Sequence, residues 1–170
     1  MICPRCGFDN LPGNDDCTKC LVDLAQLDGP NGQDRVQASL IADHVSSLHP
    51  HQPTIIPSNT TLEDAIRLMT DTGADVLLIT SDDAKIIGML TERDLLHAAD
   101  LFPAGFSTHR VTDHMTKSPA TVTPDDTLAR ALQKMDVGGL RQLPVVTDGK
   151  PIGVICVQDL IRHLTQLCRD

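Results

Sequence analysis

Apolar positions follow a helical period from Arg35 to Leu48, with Val36, Leu40, Ile41, Val45 and Leu48 on one face. Beyond Leu48 the pattern changes and then repeats. Pro53–Pro57 reads as a short strand, and Thr61–Ile66 opens an amphipathic helix led by Thr60 or Thr61. Val76–Ile79 and Ile86–Leu90 are apolar strands joined by the polar turn Ser81–Lys85, and a last helix starts at Thr91. The same order returns 65 to 67 residues later. Ala120–Pro124 matches Pro53–Pro57, Thr127–Leu132 matches Thr61–Ile66, and Leu143–Val146 matches Val76–Ile79. Pro151–Ile155 matches Ile86–Leu90, and Cys156–Ile161 matches Thr91–Leu96. In the second copy Asp125 or Asp126 is the expected helix cap, and Asp148–Lys150 the turn. Each unit is too small to bury its own sheet. The expectation is a mixed α/β (α+β) fold, with two strand-helix-strand-strand-helix repeats packed sheet against sheet about a pseudo-two-fold axis.

Composition narrows the functional classes. Of 170 residues 41 % are hydrophobic, yet there is no Trp, no Tyr and only three Phe. The core is therefore aliphatic, and a bound base must sit between aliphatic side chains. A net charge of −9 argues against nucleic acid, whose binding rests on many Lys and Arg contacts to phosphate, and against anionic membranes. No apolar run approaches the ~18 residues of a membrane span. The first nine residues carry a Cys pair where a signal peptide needs an apolar stretch, so a cytoplasmic location is expected.

Four of the six cysteines fall in the first twenty residues, as Cys3-Pro-Arg-Cys6-Gly7 and Cys17-Thr-Lys-Cys20. Two C-x2-C turns can set four thiolates around one tetrahedral ion. Gly7 offers the left-handed backbone that such a turn uses, and Arg5 and Lys19 offset the charge. Two disulfides, an iron site or unlinked thiols are the alternatives; zinc is the reading we take. Four Cys close the coordination shell, which makes the site structural rather than catalytic. Met1–Asp28 carries two basic residues against five acidic ones, so it reads as a protein-docking or stabilising element. The segment resembles short zinc ribbons with CPxCG at one knuckle and CxxC at the other, although Leu21 stands where they usually have Gly. The turn-rich stretch Asp28–Asp34 marks the boundary. The expected layout is 1–28 ribbon, 29–36 linker, 37–105 first repeat and 106–170 second repeat.

Residues of about 39 to 170 resemble a tandem pair of CBS motifs, a Bateman module. The second copy is the closer match, through Val111-Thr-Asp-His-Met115 and Gly139–Val146. The resemblance implies a regulatory, non-enzymatic module that binds AMP, ADP, ATP or S-adenosylmethionine between the repeats and forms a homodimer. Ligand binding in this family follows glycine, two residues, Ser or Thr, two residues, Asp. The first repeat carries it in full as Gly88-Met-Leu-Thr91-Glu-Arg-Asp94, while the second reads Gly153-Val-Ile-Cys156-Val-Gln-Asp159. The resemblance therefore assigns Thr91 to phosphate and Asp94 and Asp159 to ribose hydroxyls, with Gly88 permitting close approach. The same Thr-x-x-Asp pair is an ordinary helix cap, and the two roles are compatible. Cys156 is a poor phosphate partner and reads as a small buried thiol. Arg141 is a candidate for ligand phosphates, whereas the first repeat has Ala74-Asp75 at that place, so unequal clefts are expected. Ile55 and Val122 are candidate apolar walls for adenine.

His49-Pro-His51 looks like a metal pair with no third ligand nearby and reads as a loop; His97 and His163 fall at matching places on the final helices. No nucleophile elbow or phosphate-cradling loop is present. The competing reading is a ligand-free CBS dimerisation scaffold whose ribbon recruits a protein or nucleic-acid partner.

Overall fold

The computed structural model describes residues 3, 6–10, 17–21, 32–98 and 107–168, with the backbone alone for 32–34. Arg5, residues 28–31 of the expected boundary and the junction at 105/106 lie outside the described residues.

The described chain runs α1 (Gly32–Ala42), a single 3₁₀ turn (Val45–Leu48), β1 (Thr54–Pro57), α2 (Leu62–Thr72), β2 (Val76–Thr80), β3 (Ile86–Thr91) and α3 (Glu92–His97). It continues with α4 (Val111–His114), β4 (Thr116–Lys117), α5 (Leu128–Gly138), β5 (Gln142–Thr147), β6 (Lys150–Cys156) and α6 (Val157–Leu167). The helix expected over Arg35–Leu48 thus starts earlier and breaks at Asp43-His44. There the chain turns extended and exchanges hydrogen bonds with the start of α5: Val45 N–H donates to Asp126 O and Leu128 N–H to Asp43 O. The break leaves Ile41 exposed.

The first sheet has the order β1-β2-β3-β4, with β1 parallel to β2 and the other pairs antiparallel. In the second, β5 and β6 are antiparallel, Val122 bridges Val145 in parallel and His51 bridges Val154 antiparallel. The second sheet therefore repeats the first, down to an irregularity after Ile79 and after Val145. Thr61 and Thr127 cap α2 and α5, each side chain accepting the backbone N–H three residues on. Asp126, one of the two expected caps, instead accepts the Thr123 N–H at 2.9 Å and pairs with Arg130.

The lead-in of each repeat belongs to the core of the other. Val45 and Leu48 are buried with Val122, Leu128, Leu143 and Ile155 of the second repeat. Val111, and beside it Met115, pack with Leu62, Leu77, Ile79 and Leu90 of the first. Gly88 and Gly153 permit the two crossings: a Cβ at Gly88 would collide with Met115 Sδ, and one at Gly153 would lie 2.6 Å from Pro50 Cβ. The space expected over Gly88 for a ligand is thus taken by the chain's own Met115. Between the sheets, Leu78 and Met89 meet Val154, with Val76 and Ile86 alongside.

Candidate functional site

The four N-terminal sulfurs converge. Cys3 Sγ lies 3.6 Å from Cys20 Sγ and Cys6 Sγ 3.6 Å from Cys17 Sγ, and all four atoms fall within 4.8 Å of one another. Zinc–sulfur bonds of about 2.3 Å place tetrahedral sulfurs about 3.8 Å apart. A disulfide needs about 2.05 Å. The donor set therefore fits zinc, and Cys3, Cys6, Cys17 and Cys20 are free thiols in this structure. The two knuckles have one geometry: Gly7 N–H donates to Cys3 O and Leu21 N–H to Cys17 O, both at 2.8 Å. Gly7 has φ +70° and Leu21 +54°, so Leu21 holds the left-handed conformation that the missing glycine would have taken. Asn10, buried and not foreseen from the sequence, ties the knuckles together. Its Nδ2 donates to Cys17 Sγ at 3.6 Å, and its Oδ1 accepts from Thr18 N–H at 3.0 Å. No residue pattern marks such an outer contact, because it depends on how the two turns meet.

The other candidate residues form two pseudo-equivalent clusters. In the first, Thr91 and Asp94 build a full capping box at the start of α3. Asp94 Oδ2 accepts from Thr91 N–H at 2.8 Å and from Thr91 Oγ1 at 2.7 Å. Asp94 Oδ1 receives Thr116 Oγ1 at 3.2 Å, from the lead-in of the second repeat. Capping thus occupies one carboxylate oxygen, and the other meets a neutral hydroxyl at 3.2 Å, longer than the usual hydroxyl–oxygen bond. Strand register puts Thr91, Met89, Leu78 and Ile55 on the sheet face turned toward the other repeat. Ile55 is 45 % exposed there. A cleft of about 310 Å³ lined by Met69, Asp75, Glu92 and Leu95 lies on the helix side of this repeat.

In the second cluster, Cys156 and Asp159 take the same places at the start of α6. Asp159 Oδ2 accepts from Cys156 N–H at 2.8 Å and from Cys156 Sγ at 3.0 Å. Its Oδ1 meets His51 Nε2 at 3.0 Å and Arg162 Nη1 at 3.3 Å. Burial works to raise the Asp159 pKa, but the Cys156 thiol and amide and the His51 ring outweigh it, and the carboxyl is held below its ordinary value. The Cys156 thiol is pushed up by burial and by the hydrogen bond to that carboxylate. Arg141 reaches this cluster through its backbone: its carbonyl accepts the Val157 N–H at 3.0 Å while the side chain is exposed.

Val122 does not pair with Ile55. It is 1 % exposed and bridges Val145, the place that Ile56 takes against Ile79. Thr121 is therefore the counterpart of Ile55. The offset of 66 between the caps Thr61 and Thr127 already carried that register. His163 is likewise shifted by one: with the capping boxes aligned it matches Ala98, and His97 matches Arg162. His163 Nε2 lies 2.9 Å from Asp43 Oδ2 and 3.1 Å from Ser39 Oγ, fastening α6 to α1. Both partners meet the same ring nitrogen, so the ring cannot take the hydroxyl proton on one nitrogen while the carboxylate orients it through the other, as in a nucleophile triad.

Comparison with known proteins agrees with this architecture. A family model described as CBS domain matches twice, over residues 45–100 and 111–166. The Arabidopsis thaliana CBS domain-containing proteins CBSCBSPB5 and CBSCBSPB3 are 35 % and 33 % identical over 113 and 126 residues. These alignments cover 64 % and 71 % of this chain but 21 % and 22 % of theirs, so the chain spans about a fifth of those relatives. The solved structure of CBSX2 in complex with AMP superposes with a TM-score of 0.59 at 26 % identity, covering 71 % of this chain and 96 % of that one. The CBS pair of MJ0100, in complex with 5′-methylthioadenosine and S-adenosyl-L-methionine, has a TM-score of 0.64 at 20 % identity, covering 72 % and 96 %, a likeness of fold. With both repeats matched over well more than half its length, the chain belongs to the CBS-domain family as a tandem pair.

Proposed function

We propose that this protein is a regulatory sensor that binds an adenine nucleotide or S-adenosylmethionine between its two repeats. The observation that carries the reading is the division of labour at Asp94. Oδ2 holds the helix cap, while Oδ1 faces only a replaceable Thr116 hydroxyl among the described residues, which supports a role for it as acceptor of a ribose hydroxyl. Thr91 and the amides beginning α3 suit a phosphate, and Ile55 offers an aliphatic wall. The AMP complex of the relative CBSX2 supports this ligand class. At the second cluster a ribose would have to displace both His51 and Arg162 from Asp159, so the first cleft is the stronger one. Ligand binding controls a protein partner, through the zinc-loaded ribbon, only insofar as it favours one state of the module over another. The module acts as a homodimer and has no catalytic step.

The test is thermal unfolding of the full chain with AMP, ADP, ATP or S-adenosylmethionine, beside Asp94→Asn. A ligand at a hundred times its dissociation constant adds about 2.7 kcal/mol, a shift of roughly 5–10 °C for a chain of this size. A shift with one ligand that disappears in Asp94→Asn is the expected outcome. No shift with any of the four would discard sensing and leave the dimerisation scaffold.

A further inference from the structure

The two repeats provide an internal comparison. In the first, the carboxylate of Asp94 is bracketed by two hydroxyls, Thr91 Oγ1 and Thr116 Oγ1. In the second, the carboxylate is kept as Asp159, and both bracketing positions change. Cys156 replaces the first hydroxyl and His51 the second. A helix cap requires neither change, since the hydroxyl version caps α3 fully. What the two changes share is coordination chemistry: each exchanges a hydroxyl for one of the two commonest zinc ligands.

The geometry brings these groups together across 108 residues of chain. His51 is pinned to β6 by reciprocal backbone hydrogen bonds with Val154, both 2.9 Å. Cys156 is two residues further along the same strand and so on the same face. The absence of a Cβ at Gly153 lets Pro50, and with it His51, lie this close. Asp159, 4 % exposed, points its carboxylate between them from the first turn of α6. One imidazole nitrogen, one thiol sulfur and one carboxylate oxygen fall within 4.8 Å of one another.

We propose that His51, Cys156 and Asp159 form a zinc site in the second repeat, separate from the four-cysteine cluster. Around a tetrahedral ion these three donor types stand about 3.3–3.6 Å apart, so the 3.0 Å contacts open by roughly half an ångström. On binding, the ion replaces the His51–Asp159 and Cys156–Asp159 hydrogen bonds, and the Cys156 proton leaves to solvent. No oxidation state changes. Three protein ligands leave a fourth position, on the side of His51, whose side chain is 61 % exposed. A metal here withdraws Asp159 from ribose binding, so the second cleft offers an open coordination position where the first offers a ribose acceptor.

The test is the metal content of the full chain after equilibrium dialysis at micromolar free Zn2+, beside Cys156→Thr and His51→Thr. These variants install the hydroxyl residues of the first repeat and keep the Asp159 cap. Thr116→Ala is the control. The native chain is expected to hold one equivalent more than either variant, with the control equal to native. The four-cysteine cluster is common to all four proteins, so the difference does not depend on its occupancy. Cobalt replacement adds a second reading: the extra equivalent carries a thiolate charge-transfer band that Cys156→Thr removes. Equal metal content in the native chain and in folded Cys156→Thr would overturn the proposal. Should that variant fail to fold, equal content in His51→Thr, which alters an exposed loop, would overturn it as well.

Discussion

Leu21 and Gly7 occupy the same place in two otherwise matching knuckles, and both have positive φ. For a residue with a Cβ that conformation costs about 1–2 kcal/mol, and glycine recovers most of it. With the zinc proposed for this segment its folding would be coupled to metal binding, and backbone strain would appear as lost metal affinity. Leu21→Gly is expected to tighten zinc about fivefold in competition with a chelator; unchanged affinity would mean that this turn does not limit the site. The departure of Leu21 from the usual ribbon pattern was legible in the sequence, and the structure shows its form as a strained turn rather than a missing ligand. Asn10 was not legible, because its hydrogen bonds to Cys17 and Thr18 exist only once the two knuckles face each other.

At the scale of elements, most strands and helices stand where the alternation and helical periods put them, since those periods are local properties of the chain; the helix over Arg35–Leu48 breaks, and the strand over Ala120–Pro124 shrinks to the single bridge at Val122. The remaining differences lie where elements meet. Asp126 looks like a cap because a short acidic side chain suits that place, but Thr127 is the residue that continues into the helix. Val122 and Ile55 look equivalent until the parallel bridge to Val145 sets the register. The crossed lead-ins have an energetic consequence. Val45 and Val111 are fully buried, each in the core of the repeat it does not precede. Val45→Ala and Val111→Ala should each cost about 2 kcal/mol. Both should leave urea unfolding as one transition, since each repeat is completed by the other. Two separable transitions in circular dichroism would show that the crossed segments do not couple the repeats.

At the scale of the molecule, no described helix is long and apolar enough to cross a membrane. The outer helices nevertheless expose apolar side chains at matched places: Leu96 on α3 and Ile161 on α6. Two such residues related by the pseudo-two-fold suit a surface that meets a second copy, in line with the homodimer proposed above. Leu96→Glu combined with Ile161→Glu is expected to convert the protein to a monomer in sedimentation velocity while leaving its melting temperature within a few degrees. Persistence of the native species would place self-association elsewhere.

The sequence by itself determined the duplicated order of strands and helices, the grouping of four cysteines in two C-x2-C turns and the two helix starts boxed by Asp94 and Asp159. All of these follow from spacings of a few residues or from similarity between the copies. The tertiary structure alone decided which lead-in completes which core, and that Met115 rather than a ligand covers Gly88. It also decided that His51 stands beside Cys156 and Asp159. In the sequence His49-Pro-His51 reads as a loop, with no third ligand close by along the chain. The missing partners lie more than a hundred residues away, delivered by the pairing of His51 with Val154. Such contacts are set by how two sheets pack, which no local pattern encodes.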